Sequence, residues 1–184
     1  GLRVIDYKSG ARKFDPTLVY WGLQLQLLLY LAAALSRVPG SHAAGFFYCR
    51  IADPTVKTES RIREEVEKQI AKKLSLQGIS LSDVAILRAQ GGSVASMVTK
   101  DGKPNGRYAA SMVDEAGMEK LLDFAKRKAA ELAGEIYRGE MDDSPVERGA
   151  FNACQNCEYS AICAFDPMRK PRRRLAAKKL DDLL

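Results

Sequence analysis

Histidine and cysteine are scarce in this chain of 184 residues, and long uninterrupted apolar runs are missing. The single histidine, His42, is not read as a metal ligand. Four cysteines are too few for a disulfide scaffold. Three of them, Cys154, Cys157 and Cys163, crowd into one short segment, which in a reducing compartment points to a metal or cluster instead. The apolar run Leu18–Leu35 is interrupted by Gln24, Gln26 and Tyr30, and Ala43–Ile51 is too short to span a bilayer. No signal peptide precedes the first strand-like residues, so a soluble intracellular protein without membrane partners is expected. Internal repeats are also lacking.

What is present suits one folded domain. Hydrophobic residues make up 46% of the chain, enough for a core of ordinary density. Twenty-nine Lys and Arg against 23 Asp and Glu leave a net charge of +6. That excess suits a polyanionic partner such as nucleic acid without requiring one.

Val4–Tyr7 reads as a strand closed by Lys8-Ser9-Gly10. Asp15 before Pro16 is a helix start, N-cap then first helical position, for a buried helix running to about Leu35. Ala44–Ile51 reads as a central strand. A charged helix follows at about 59–77, with Ile62, Val66, Ile70 and Leu74 as a narrow stripe. Asp83–Arg88 is expected to be a strand, and Ser93–Thr99 with Arg107–Val113 a hairpin around Asp101-Gly102. A long helix at about Asp114–Arg138 places Met118, Leu121, Leu122, Ala125, Leu132 and Ile136 inward. These elements predict an α/β domain with a mixed sheet.

Three clusters carry chemistry. Asp6 and Lys8 are two apart on a strand and share a face. A carboxylate beside an ammonium can hold a divalent ion and orient a water, or can be a surface ion pair. Gln26 and Tyr30, four apart, share a helix face with Val19, Gly22 and Ala33 and either bind a phosphate or pack and cap locally. Cys154, Cys157 and Cys163 are soft ligands for Zn²⁺ or an iron–sulfur cluster, or three reduced thiols in a structural knot. Cys49, within an apolar strand, reads as a core thiol. Arg169, Lys170, Arg172, Arg173, Arg174, Lys178 and Lys179 form a basic tail, either solvated or on a DNA backbone.

In order along the chain, Val4-Ile5-Asp6-Tyr7-Lys8-Ser9-Gly10, then Gly22 to Tyr30, then Cys154 to Asp166, resemble one family. The sequence is similar to the C-terminal nuclease domain of the B subunit of bacterial AddAB (RexAB-type) ATP-dependent helicase–nucleases, in the PD-(D/E)xK, restriction-endonuclease-like superfamily. The resemblance implies a mixed sheet flanked by helices, truncated at its N-terminus, and a cytoplasmic bacterial enzyme. It implies that Asp6 ligates Mg²⁺ with the Tyr7 carbonyl, that Lys8 acts on the attacking water, and that Gln26 and Tyr30 line the site near DNA. Cys154, Cys157 and Cys163 become three of four ligands of a structural [4Fe–4S] cluster. The partners implied are a single DNA strand threaded from a duplex end and the motor, the helicase–nuclease A subunit, in double-strand-break processing. The family's other acidic ligand and its first cluster cysteine lie upstream of Asp6, so the chain alone is expected to have little or no nuclease activity. Residues 1–150 are expected to form the nuclease core, with the helix at 59–77 inserted. Residues 151–184 supply the cysteine segment and tail of the same domain. The rival readings are a CRISPR-associated exonuclease of the Cas-four type and a non-catalytic DNA-binding module.

Overall fold

The computed structural model describes residues 1–51, 54–56, 62–140, 142–149 and 151–184. Its frame is a four-stranded mixed sheet. Strand β1 (Leu2–Lys8) runs parallel to β2 (Ala43–Arg50), so the chain between them must cross over, which it does through helices α1 (Pro16–Tyr20) and α2 (Gln26–Arg37). Beyond the charged helix α3 (Arg63–Lys73) lies β3 (Gln77–Leu81), antiparallel to β2. Helices α4 (Val84–Gln90) and α5 (Gly92–Ala95) lead by a short 3-10 turn to β4 (Met112–Val113), parallel to β3. The long helix α6 (Glu115–Tyr137) completes the body. Strand order is β1-β2-β3-β4, and β1 forms an edge among the described residues.

Both faces of the sheet are covered, and β2 shows it residue by residue. Ala44 to Tyr48 are all buried, with alternate side chains serving opposite sides. Phe46 and Tyr48 join the larger core, made with Val19, Leu27, Leu28 and Leu31 and with Met118, Leu121 and Ala125 of α6. Phe47 packs on the other side with Leu87, Val94 and Met97. Full burial of each such side chain contributes roughly 1.5–3 kcal/mol, so these two layers dominate the stability of the domain.

Several expectations are borne out: the strand carrying Asp6 and Lys8, the central β2, the Asp15 cap, and α6, whose Asp114 cap accepts from the Gly117 amide at 2.8 Å. Others need correction. The single helix from Pro16 to Leu35 is two helices, broken over Trp21–Leu25 with Gly22 at φ +80°. Val19 therefore faces the core and Gly22 lies outside any helix, so neither shares a face with Gln26 and Tyr30. Asp83–Arg88 is not a strand: Asp83 accepts from the Ile86 amide at 2.9 Å and caps α4. The expected hairpin reduces to one bridge, Val98 to Pro104, flanked by helical turns. Strand β3 went unread because Gly78 and Ser80 interrupt its apolar pattern. Ile136 is 77% exposed rather than inward. Helix α3 has no buried residue, as its narrow stripe implied; the stretch 59–61 before it lies outside the described residues. Cys49 is half-buried rather than a core thiol.

A second, small sheet gathers the C-terminal part. Strands β5 (Val146–Arg148), β6 (Phe151–Asn152) and β7 (Arg173–Arg174) stand in the order β6-β5-β7, with the one-turn helix α7 (Ser160–Cys163) between β6 and β7. Among the described residues, no helix is long and apolar enough to cross a membrane.

The closest approach in the main sheet lies at Gly78, where a Cβ would overlap the Phe46 carbonyl oxygen and the Phe47 backbone. Gly78→Ala is expected to lower the unfolding free energy by at least ~2 kcal/mol, read as a shift of the urea midpoint. An unchanged midpoint would mean that β2 and β3 do not approach this closely.

Candidate functional site

Asp6 and Lys8 stand on the face of β1 that α2 covers. Lys8 Nζ lies 2.8 Å from Asp6 Oδ2, and the Lys8 and Asp6 side chains are 30% and 16% exposed. The same ammonium donates to Gln26 Oε1 at 3.4 Å, and Gln26 Nε2 donates to Tyr30 Oη at 3.1 Å. The two pairs picked from the sequence are thus one continuous chain, from carboxylate through ammonium and amide to phenol. Helical spacing accounts for the link between Gln26 and Tyr30, strand spacing for that between Asp6 and Lys8. Tertiary structure alone supplies the contact between Lys8 and Gln26.

Asp6 Oδ2 is buried and, among the described residues, receives no aligned hydrogen bond. Its contact with Lys8 is close but not aligned as a hydrogen bond, so it is an electrostatic pairing that leaves acceptor capacity uncommitted. A buried carboxylate oxygen in that condition fits a hard cation. The Lys8 carbonyl accepts from the Ile51 amide at 3.1 Å, towards β2. Alternation along a strand then turns the Tyr7 carbonyl to the other edge, where no strand pairs among the described residues.

Across the parallel ladder Asp6 neighbours Tyr48 and Lys8 neighbours Arg50. Burial pushes the Tyr48 phenol above its usual pKa; Arg12 works against this and Asp6 adds to it. Neither Tyr48 nor Arg50 was singled out from the sequence. Their signal is period-2 spacing from Phe46, which becomes informative only once the register to β1 is known.

Gln24, seen in the sequence only as a polar interruption, is 8% exposed. It accepts from the Asp15 amide and donates to the Lys13 carbonyl, each at 2.8 Å. That side chain fastens the loop between β1 and α1 beneath the start of α2.

The cysteines sit apart from this cluster. Cys154 is half-buried, and Cys157 and Cys163 are exposed. Among the described residues, no three His, Cys, Asp or Glu side chains are gathered as a metal site. Their segment is nevertheless joined to the site, because Arg148 of β5 pairs with Asp15 Oδ2 at the start of α1. The basic tail is largely engaged within the molecule. Lys170 pairs with Asp142 at 2.5 Å and Asp143 at 2.7 Å. Arg172 and Arg174 approach Glu147, and Arg173 and Lys178 lie over the rings of Trp21 and Tyr20.

Comparison with known proteins identifies the family. The profile of the PD-(D/E)XK nuclease superfamily matches residues 1–164. The B subunit of the ATP-dependent helicase/deoxyribonuclease of Alkaliphilus metalliredigens is 37% identical over 177 residues, covering 90% of this chain and 15% of that protein. Its counterpart of the same name in Moorella thermoacetica is 37% identical over 179 residues, with the same two shares. That from Clostridium tetani is 35% identical over 198 residues, covering all of this chain and 17% of the relative. The chain therefore spans about one-sixth of the length of the curated relatives it matches. With a mixed sheet that brings Asp6 and Lys8 together under Gln26 and Tyr30, and a profile match over most of its length, the chain belongs to the PD-(D/E)XK nuclease superfamily.

Proposed function

We propose that the chain is the lysine-bearing part of an Mg²⁺-dependent DNA exonuclease domain, within a helicase–nuclease that processes double-strand breaks for recombinational repair. The observation that carries this reading is the unbroken contact chain Asp6–Lys8–Gln26–Tyr30 on one face of the sheet. Its order of groups suits phosphodiester hydrolysis. Asp6 Oδ2 and the Tyr7 carbonyl would hold the cation. When bound, Mg²⁺ supplies polarisation of a phosphoryl oxygen and a more acidic water.

The chain's own side chains do the rest. Lys8, steadied from both sides, orients the attacking water and offsets negative charge developing on the phosphoryl oxygens. Gln26 uses its carbonyl oxygen to hold Lys8 and its amide on Tyr30, which leaves the phenolic proton free to donate to a phosphate oxygen. One carboxylate and one carbonyl bind Mg²⁺ weakly. A second acidic ligand from the rest of the parent protein completes the centre in this reading, and the open edge of β1 leaves room for a strand that carries it. The chain alone then cleaves little or nothing.

Cys154, Cys157 and Cys163 are proposed as three ligands of a structural [4Fe–4S] cluster, with the fourth cysteine elsewhere in the parent. Three thiolates suit that group chemically. The partners in this reading are one DNA strand, threaded from a duplex end, and a separate motor subunit. The bacterial cytoplasm follows from that role.

Lys8→Ala in the full-length parent is expected to reduce Mg²⁺-dependent cleavage of linear single-stranded DNA about 10²–10³-fold, measured by release of acid-soluble nucleotide. Undiminished cleavage would refute the nuclease assignment for this site. Anaerobically purified parent is expected to be brown, with broad visible absorption that Cys157→Ser and Cys163→Ser each abolish. A colourless, zinc-containing preparation would overturn the cluster.

A further inference from the structure

Among the described residues, most of the positive charge left without an ion pair lies outside the tail. At the C-terminal end of β2, against the loop that follows β1, is a cavity of about 380 Å³. Its walls include the cationic residues Arg12, Lys13, Arg50, Lys72 and Lys73, and among the described residues no carboxylate lines it. None of these five forms an ion pair with a described residue, although Lys73 donates to the Thr55 carbonyl, whereas most of the tail's cations are paired or stacked. Arg50 is the sharpest case. Its Nε is buried and, among the described residues, lacks a hydrogen-bond acceptor. It is also the ladder neighbour of Lys8.

Two cations side by side on adjacent strands repel each other, and a buried guanidinium N–H without an acceptor is costly. Asp6 relieves Lys8. No described side chain relieves Arg50. An anion in the cavity would, and the fork of a guanidinium matches two oxygens of a phosphate, with lysines supplying further point charges. Strands in a sheet lie roughly 5 Å apart, so an anion held by Arg50 would be bound from the strand next to the one carrying Asp6 and Lys8.

We propose that Arg12, Arg50, Lys72 and Lys73 form a backbone-phosphate site that seats the phosphodiester next to the one being cut. This rests on the nuclease reading for its ligand, a single DNA strand, but not for its existence as an anion site. Helix α3, lying outside the core with no buried residue, thereby has a role: its last turn carries Lys72 and Lys73 to the cavity wall.

The test is binding of a fluorescein-labelled oligothymidylate to the 184-residue chain in EDTA, by anisotropy over a range of salt concentrations. Lys72→Ala/Lys73→Ala, both on an exposed helix face, is expected to weaken binding about tenfold at moderate salt. It should reduce the slope of log affinity against log salt by about 1.4, two phosphate contacts on a single strand. Arg12→Ala should act in the same direction. Two pairs serve as controls for net charge, Lys100→Ala/Lys103→Ala in a distant loop and Arg173→Ala/Arg174→Ala in the tail, and each should have less than a twofold effect. Thermal melts followed by circular dichroism confirm that each variant is folded. An unchanged affinity and slope in the cavity variants, a loss confined to the tail pair, or no binding by the wild-type chain would each overturn the proposal. Lys8→Ala cleavage in the parent is read separately. Normal binding by the cavity variants with abolished Lys8→Ala cleavage sinks only this site; lost binding with undiminished cleavage sinks only the nuclease reading.

Discussion

A buried amide decides how the helix carrying half of the site is set against the strand carrying the other half. Gln24 is enclosed, and an enclosed primary amide must use both its ends or bear a desolvation cost of about 1–3 kcal/mol. It does so on the loop between β1 and α1, accepting from the Asp15 amide and donating to the Lys13 carbonyl. Those bonds require the backbone to leave helical geometry after Tyr20, and Gly22 in the left-handed region makes the departure easy. When the chain re-enters a helix at Gln26 its phase has been reset. Leu27, Leu28 and Leu31 then point into the core, while Gln26 and Tyr30 point to the solvent side above Lys8. A continuous helix could not meet both the burial of Val19 and the placement of Gln26.

The sheet contributes the other half by alternation. With Val4 packed inward on the α2 face, Asp6 and Lys8 fall on that same face and reach the rim of the core, where the carboxylate is largely shielded and the ammonium partly so. That position strengthens electrostatics without full desolvation. It also explains why the lysine needs two partners. A flexible four-carbon chain with a strongly hydrated head holds one geometry only when bonds from two directions restrain it. Asp6 and Gln26 provide them. Because, among the described residues, neither Lys8 nor any other group aligns a hydrogen bond on Asp6 Oδ2, the carboxylate keeps acceptor capacity for a further group.

Local chemistry was legible in the sequence where one short-range rule decided the outcome. The caps at Asp15 and Asp114, the burial of β2 and the shared face of Asp6 and Lys8 are of that kind. What was illegible depended on partners far along the chain. The break at Gly22 follows from Gln24 bonding to a loop, and no periodicity reports that. Strand β3 exists because Gly78 lets its backbone close on Phe46, a requirement that makes its sequence look like a loop. Asp83–Arg88 has the apolar content of a strand and the cap of a helix, and the cap prevails. Arg50 could be placed beside Lys8 only through the parallel register, and the tail's charges could be discounted only once their acceptors were seen.

Long-range contacts also tie the segments flanking the cysteines to helix α1. Asp15 divides its two oxygens, one capping the Thr17 amide and the other pairing with Arg148 of the small sheet, 133 residues away. Thr17 is buried and exchanges hydrogen bonds with the Lys178 backbone, and the Trp21 indole donates to the Ala176 carbonyl, at separations of 161 and 155 residues. Helix α1 is only five residues long and cannot hold its own place by helical hydrogen bonding, since a helix that short is unstable in isolation. Its position is borrowed from the core beneath it and from the C-terminal segment laid over it. Contacts of such separation carry a large loop-closure cost and form only when both ends are already ordered. The segments on either side of the cysteines and the start of α1 are therefore held by the same contacts, and Gln24 joins the loop before α1 to the start of α2.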